Sequence, residues 1–193
     1  MREIEQKLFD WIDLKLKDNG LAQHAVVIKD ERLLMIEAAK VCVGIRESGG
    51  NNHGPMVELI QKTIGGANGE SWCMAFIQSM LAYVEKKIGI YSRLYPTEHC
   101  LTCWAKSPEA SRVKYFPLPG AIVIWQHGDS TNGHTGIFLE AQSNDQMLVI
   151  EGNTNSGLNK NGTIERDGGG IYLTKRSMKR NGDMTVKGFL KPF

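Results

Sequence analysis

Residues 119–153, PGAIVIWQHGDSTNGHTGIFLEAQSNDQMLVIEGN, decide the fold class. Ala121–Trp125 is a wholly apolar run behind a Pro-Gly turn, the pattern of a buried strand. Thr135–Ala141 and Met147–Glu151 read as two more strands, joined into a hairpin by the polar turn Ser143–Gln146. Further on, Ile171–Thr174 and Thr185–Leu190 supply one or two more strands.

Upstream of Pro119 the period is helical. Ile4, Leu8, Trp11, Ile12 and Leu16 make an amphipathic helix over 2–17, ending near Asn19-Gly20, a C-cap signal. It packs on the domain, or serves as a partner-binding or membrane-surface helix, which would share the pattern. Asp30 caps a helix over 31–43 that is apolar on most faces and holds Cys42 in the core. A short helix runs from Pro55 to Gly65-Gly66 inside the Gly/Asn-rich stretch 44–71. Ser71 is the expected N-cap of the strongest helix, which places Cys73, Phe76, Ile77, Met80, Leu81 and Val84 on one face. One more short helix, after Pro96-Thr97, carries HCLTCW. Helices first and antiparallel strands after them make an α+β protein, with N-terminal helices packed on an antiparallel sheet.

Composition narrows the function classes. In 193 residues, 41% are hydrophobic and the formal net charge is +2, which argues against a dedicated nucleic-acid binder. No apolar run approaches the ~20 residues of a membrane span, so no integral membrane segment is expected. The N-terminus alternates charge with apolar residues, unlike a secretory signal, and synthesis in the cytoplasm is the expectation. Four cysteines do not make a disulfide framework. Charge is uneven: residues 160–193 carry +5, leaving −3 over 1–159. A basic segment of this kind attracts anionic polymers, and a solvated strand-and-turn face gives the same pattern.

Cys73 stands apart from the other cysteines because it falls in the first turn of its helix. Unpaired backbone N–H groups and the helix dipole there stabilise an anion, and the thiolate is the reactive form of cysteine. A cysteine nucleophile needs a base and a group that orients the base. His134 opens one strand of the hairpin and Glu151 closes the other, so His134 and the segment 151–153 share its open end. A helix packed on the sheet with Cys73 at that end completes a Cys–His–(Glu/Asn) site.

Four segments in this order, GESWCMAFIQSML, PLPGAIVIWQHG, NGHTGIFLE and VIEGNTN, resemble the CHAP family of cysteine, histidine-dependent amidohydrolases/peptidases, part of the papain-like superfamily. The resemblance runs from about Gly44 to the C-terminus and implies a papain-like CHAP fold. It implies that Cys73 is the nucleophile and His134 the general base, with Glu151 and Asn153 orienting and polarising that histidine. Which of the two is the principal partner stays open at this level. The implied substrate is peptidoglycan, cut at the muramoyl–L-alanine amide or within the peptide cross-bridge. Residues 1–30 are then a helical extension and 31–193 the CHAP-like catalytic domain, expected to be monomeric and to need no cofactor or metal.

The chain departs from the family pattern in places. Many CHAP domains have Gln directly before the nucleophile, where this chain has Trp72. GIRESGGNNHG holds too few carboxylates for the calcium loop of some phage members. No wall-binding domain is recognisable, so Trp72, Glu47, Asn51, Asn52 and His53 are the candidate substrate-binding residues. Structuring the loop is an equally good account of those in the Gly-Asn stretch. Cys100 and Cys103 form a CxxC without a second ligand pair and are expected to be buried reduced thiols. His24, His53 and His127 are expected at the surface. A phage-type lysin released by a holin, or a toxin delivered by a secretion machine, fits these features, with action on the wall in the periplasm or outside the cell. The alternatives are a non-catalytic wall-binding or phage-particle structural protein with the same fold, and a cysteine peptidase or deamidase acting on proteins.

Overall fold

The computed structural model describes residues 3–155 and 169–193. Its helices are α1 (Glu3–Leu16), α2 (Gly20–Ile28), α3 (Glu31–Cys42), α4 (Pro55–Thr63), α5 (Cys73–Ile88) and α6 (Cys100–Lys106). They precede the strands β1 (Ile122–His127), β2 (Gly133–Gln142), β3 (Gln146–Thr154), β4 (Gly170–Ser177), β5 (Arg180–Asn181) and β6 (Met184–Leu190). The α+β expectation therefore holds, helices first and strands after.

All the strands join one antiparallel sheet in the order β4-β3-β2-β1-β6-β5. Strand β1 sits inside it, paired with β2 on one side and β6 on the other, and both of its faces are covered. Ile122 and Ile124 join Ile137, Ile150, Ile171 and Leu190 in the large core shared with the helices. Val123 and Trp125 join Phe138, Met147, Val149 and Phe189 in a second cluster. This two-sided burial explains why AIVIW does not alternate.

Helix boundaries follow local chemistry. The Asp30 side chain accepts from Leu33 N at 2.9 Å and caps α3, and Pro55 opens α4. Two boundaries differ from expectation. Asn19-Gly20 follows α1, but Asn19 is also the N-cap of α2, accepting from Ala22 N at 2.9 Å. That nine-residue helix is too short to stand out by periodicity. Ser71 does not cap α5: Trp72 occupies the N-cap position, with no side-chain capping bond, and Cys73 is the first helical residue. The nucleophile candidate is thus at the very start of the helix, nearer the unpaired N–H groups.

Residues 3–28 are tied to the rest. Leu8, Phe9, Ile12 and Leu16 lie in the core that includes α3, α4 and α5, and Tyr83 Oη donates to Asp13 Oδ1 at 2.7 Å. The apolar face of α1, open to several readings in sequence, is covered by the protein itself. Among the described residues, no helix is long and apolar enough to cross a membrane.

Helix α5 reaches the sheet over β2 and β3, and Gly152 makes the close approach possible. A Cβ on Gly152 would stand 2.8 Å from Phe76 Cβ, with the Phe76 ring at 3.0 Å. Gly152→Ala should therefore push α5 away from β3. Overpacking of this kind costs about 1–3 kcal/mol, and the melting temperature should fall by several degrees. An unchanged melting temperature would show that the contact is not tight.

Candidate active site

At the start of α5, Cys73 Sγ lies 3.6 Å from Cys100 Sγ, the first residue of α6. Cys73 is also hydrogen-bonded to His134 and to the backbone N–H of Met74. The hydrogen bond from the Cys100 thiol, joined by the His134 hydrogen bond and charge, outweighs burial and holds Cys73 well below the usual thiol range. Cys100 is driven the other way, well above that range, by the same hydrogen bond and by burial. The pair is a thiolate accepting from a thiol.

His134 sits near the start of β2, opposite Trp125 of β1, and the two rings stack with centroids 5.6 Å apart. Burial alone would pull its imidazolium down. Hydrogen bonds to Cys73 and Glu151, with their charges, prevail and raise it to about 9. The ring is therefore protonated beside the thiolate at neutral pH. Nε2 lies 2.8 Å from Glu151 Oε2.

Glu151, on β3, is completely buried. Both of its oxygens are occupied. Arg176 donates from Nε to Oε1 at 2.7 Å and from Nη2 to Oε2 at 2.8 Å, and Thr174 Oγ1 donates to Oε1. Arg176 Nη2 also reaches Thr154 Oγ1 at 3.0 Å. Burial opposes the charge, but the His134 and Arg176 interactions win and bring the Glu151 carboxyl to about 2. Between the two orienting candidates, Glu151 is the group on His134 Nε2. Asn153 stands two residues on, half-buried, with φ at 52°, inside the irregularity between Glu151 and Thr154 where β3 leaves its ladder with β4. The bulge turns the chain at the open end of the sheet.

The substrate-binding candidates form a connected structure. The chain after α3 runs along the β4 edge: Gly44 N donates to Ile171 O, Ile171 N to Ile45 O and Glu47 N to Gly169 O. Glu47 Oε1 then accepts from Trp72 Nε1 at 2.9 Å. Trp72 has no exposed surface, which corrects its expected place against substrate. Its indole anchors the residue before Cys73 to the loop. Asn52 Nδ2 donates to Gly69 O, Gln61 Nε2 donates to Asn52 O, and the His53 ring lies against Gly50 and Gly69. Asn52 and His53 thus bind the loop to the segment leading into α5, while Asn51 is exposed. His24 is exposed, and His53 and His127 are partly so.

Arg176 and Thr174 do not stand out in the sequence. There Arg176 is only one of many C-terminal cations, because the strand is expected to end at Thr174, whereas β4 continues to Ser177. Their spacing of two on one strand is the available signal. Cys100 pairs in sequence with Cys103, its neighbour, and in space with Cys73.

Residues 65–153 match the family model described as the CHAP domain. This part of the chain is a CHAP domain. Among curated proteins no match is found. The matched stretch begins before α5 and ends on Asn153, so it encloses Cys73, His134, Glu151 and Asn153, while Glu47, Thr174 and Arg176 lie outside it. It fits the α+β, papain-like architecture, and a CHAP domain implies peptidoglycan hydrolase activity of the amidase or peptidase kind, dependent on cysteine and histidine.

Two outcomes follow from the electrostatics of the CHAP site. Activity should rise with pH as Cys73 ionises, well below the ordinary thiol range, and fall near pH 9 as His134 loses its proton. A flat kcat/KM profile from pH 5 to 10 would contradict the thiolate–imidazolium pair. Arg176→Leu leaves a buried carboxylate short of its cation, which should cost about 3 kcal/mol. Glu151 titrates at about 2 when folded and about 4.3 when unfolded. Its stabilisation is therefore complete above the unfolded value and is lost as pH falls toward the folded one. In Arg176→Leu the folded value moves back up, so acid denaturation curves should show a shallower loss than in the parent.

Proposed function

We propose that the chain hydrolyses an amide bond of peptidoglycan, at the muramoyl–L-alanine linkage or within the peptide cross-bridge, through a thioester on Cys73. The observation that supports this reading is the Cys73–His134–Glu151 arrangement, with the thiolate at a helix start and the imidazolium held by a buried carboxylate.

In the proposed reaction, the Cys73 thiolate attacks the amide carbonyl carbon and forms a C–S bond. The carbonyl electron pair moves onto oxygen, and the backbone N–H of Cys73 at the start of α5 serves as one donor to that oxyanion. On collapse the C–N bond breaks while protonated His134 gives its proton to the leaving amine. Neutral His134 then takes a proton from water, which attacks the thioester. The acid product leaves and the thiolate is restored. Glu151 keeps the imidazole oriented through Nε2 and stabilises its charged form in both half-reactions. We assign Asn153 to the same end of the site as a polarising group.

In this reading the protein is made in the cytoplasm and acts on the wall in the periplasm or outside the cell, as a phage-type lysin or a delivered toxin. The basic 160–193 segment and exposed Asn51 are candidate contacts to the anionic polymer. Residues 160–168 of that segment lie outside the described residues.

Digestion of purified walls followed by mass spectrometry of the muropeptides tests the proposal. A new N-terminal L-alanine identifies an amidase, and a cut between peptide residues an endopeptidase. Cys73→Ala should leave walls turbid and intact, with turnover down by at least ~10³-fold. Glu151→Gln should lower kcat more than it raises KM. Clearing of walls by Cys73→Ala at the parent rate would remove the nucleophile assignment.

A further inference from the structure

The described residues include four free cysteines, all buried, and only two of their sulfurs meet. Cys42 Sγ donates to Ala38 O within its own helix, and burial pushes its thiol up to about 12, so it is inert. Cys103 Sγ is 3.7 Å from Ser107 Oγ. Cys100 is different: its sulfur touches Cys73 at 3.6 Å, van der Waals contact, although 27 residues separate them in the chain. Gly133, the residue before His134, makes room for it. A Cβ there would stand 3.0 Å from Cys100 Cβ.

We propose that Cys100 is the resolving thiol of a reversible disulfide with Cys73, a modification site through which a peroxide switches the site off. Its effect on activity rests on the reading of Cys73 as nucleophile; the covalent chemistry does not. The Cys73 thiolate attacks one oxygen of hydrogen peroxide, forming an S–O bond and breaking O–O, with hydroxide leaving. Cys73 is now a sulfenic acid, oxidised by two electrons, and the peroxide is reduced. Cys100 then attacks the Cys73 sulfur: an S–S bond forms, S–O breaks, and the Cys100 proton leaves with the hydroxyl as water. The sulfurs must approach by roughly 1.5 Å to reach bonding distance, which side-chain rotation at two helix starts supplies. A dithiol reverses the bond by exchange and returns the thiolate.

The same contact provides a second role for Cys100, as hydrogen-bond donor to the resting thiolate. Serine keeps a donor and cannot form a disulfide, so Cys100→Ser separates the two roles. Parent protein and Cys100→Ser are treated with hydrogen peroxide and compared by intact mass and wall clearing, and a portion is then alkylated for non-reducing peptide mapping. The parent should lose about 2 Da, show a Cys73–Cys100 cross-linked peptide, and recover its activity with dithiothreitol. Cys100→Ser should instead gain about 32 Da at Cys73, the sulfinic acid, and remain inactive after dithiothreitol. Oxygen added at Cys73 of the parent without a cross-link overturns the proposal, as does a cross-link between Cys100 and Cys103. Peptide mapping of the parent and of Cys103→Ser separates these outcomes even if Cys100→Ser does not fold. A cross-link in a protein that never clears walls would uphold the disulfide site and discard the peptidoglycan reading.

Discussion

A carboxylate with no contact to water is costly to bury, and the arrangement of the sheet around Glu151 meets its needs. An unpaired charge at this depth is strongly destabilising. Its partners come from two other strands: His134 from β2, and Thr174 and Arg176 from β4. A shift of one residue in either pairing would turn those side chains to the opposite face and leave the charge bare. Gly136 belongs to the same requirement, because a Cβ there would stand 2.9 Å from Glu151 Cγ. Strand register and the geometry of the site are thus one constraint.

That constraint places the histidine; the helix places the cysteine. Helix α5 approaches β3 at Gly152 and starts with Cys73 because Trp72 ends the incoming loop. Trp72 is tied to Glu47, and the loop carrying Glu47 is hydrogen-bonded along β4, the strand that also carries Arg176. One edge of the sheet therefore steadies both the residue before Cys73 and the cation behind Glu151. Neither Glu47 nor Arg176 falls within the stretch that matches the CHAP family model. This chain supports its CHAP site with residues from outside that stretch.

Electrostatically the site is a chain of alternating charge: the Cys73 thiolate, the His134 imidazolium, the Glu151 carboxylate and the Arg176 guanidinium. Each group in the interior is flanked by the opposite sign, so each is held ionised where burial alone would neutralise it. The Cys100 thiol ends the chain on the cysteine side, as a neutral donor.

Local pattern was enough to determine that helices come first and strands follow. The change from helical to strand period at Pro119, the Asp30 cap and the Pro55 start are short-range effects, settled by neighbouring residues. The candidates Cys73, His134 and Glu151 were legible too, since a helix start and the two ends of a hairpin are places a sequence marks. The helix α2, the true cap of α5 and the burial of Trp72 were not, because each depends on what packs nearby. Contacts between distant segments escaped for the same reason: the Arg176 clamp, the Glu47–Trp72 bond and the meeting of Cys73 with Cys100 have no local signature. The sequence by itself determined that helices precede an antiparallel run of strands and which residues are candidates for the chemistry. Only the tertiary structure decided which partners they meet, because strand register and helix docking are set by the burial of charge and volume across the whole chain.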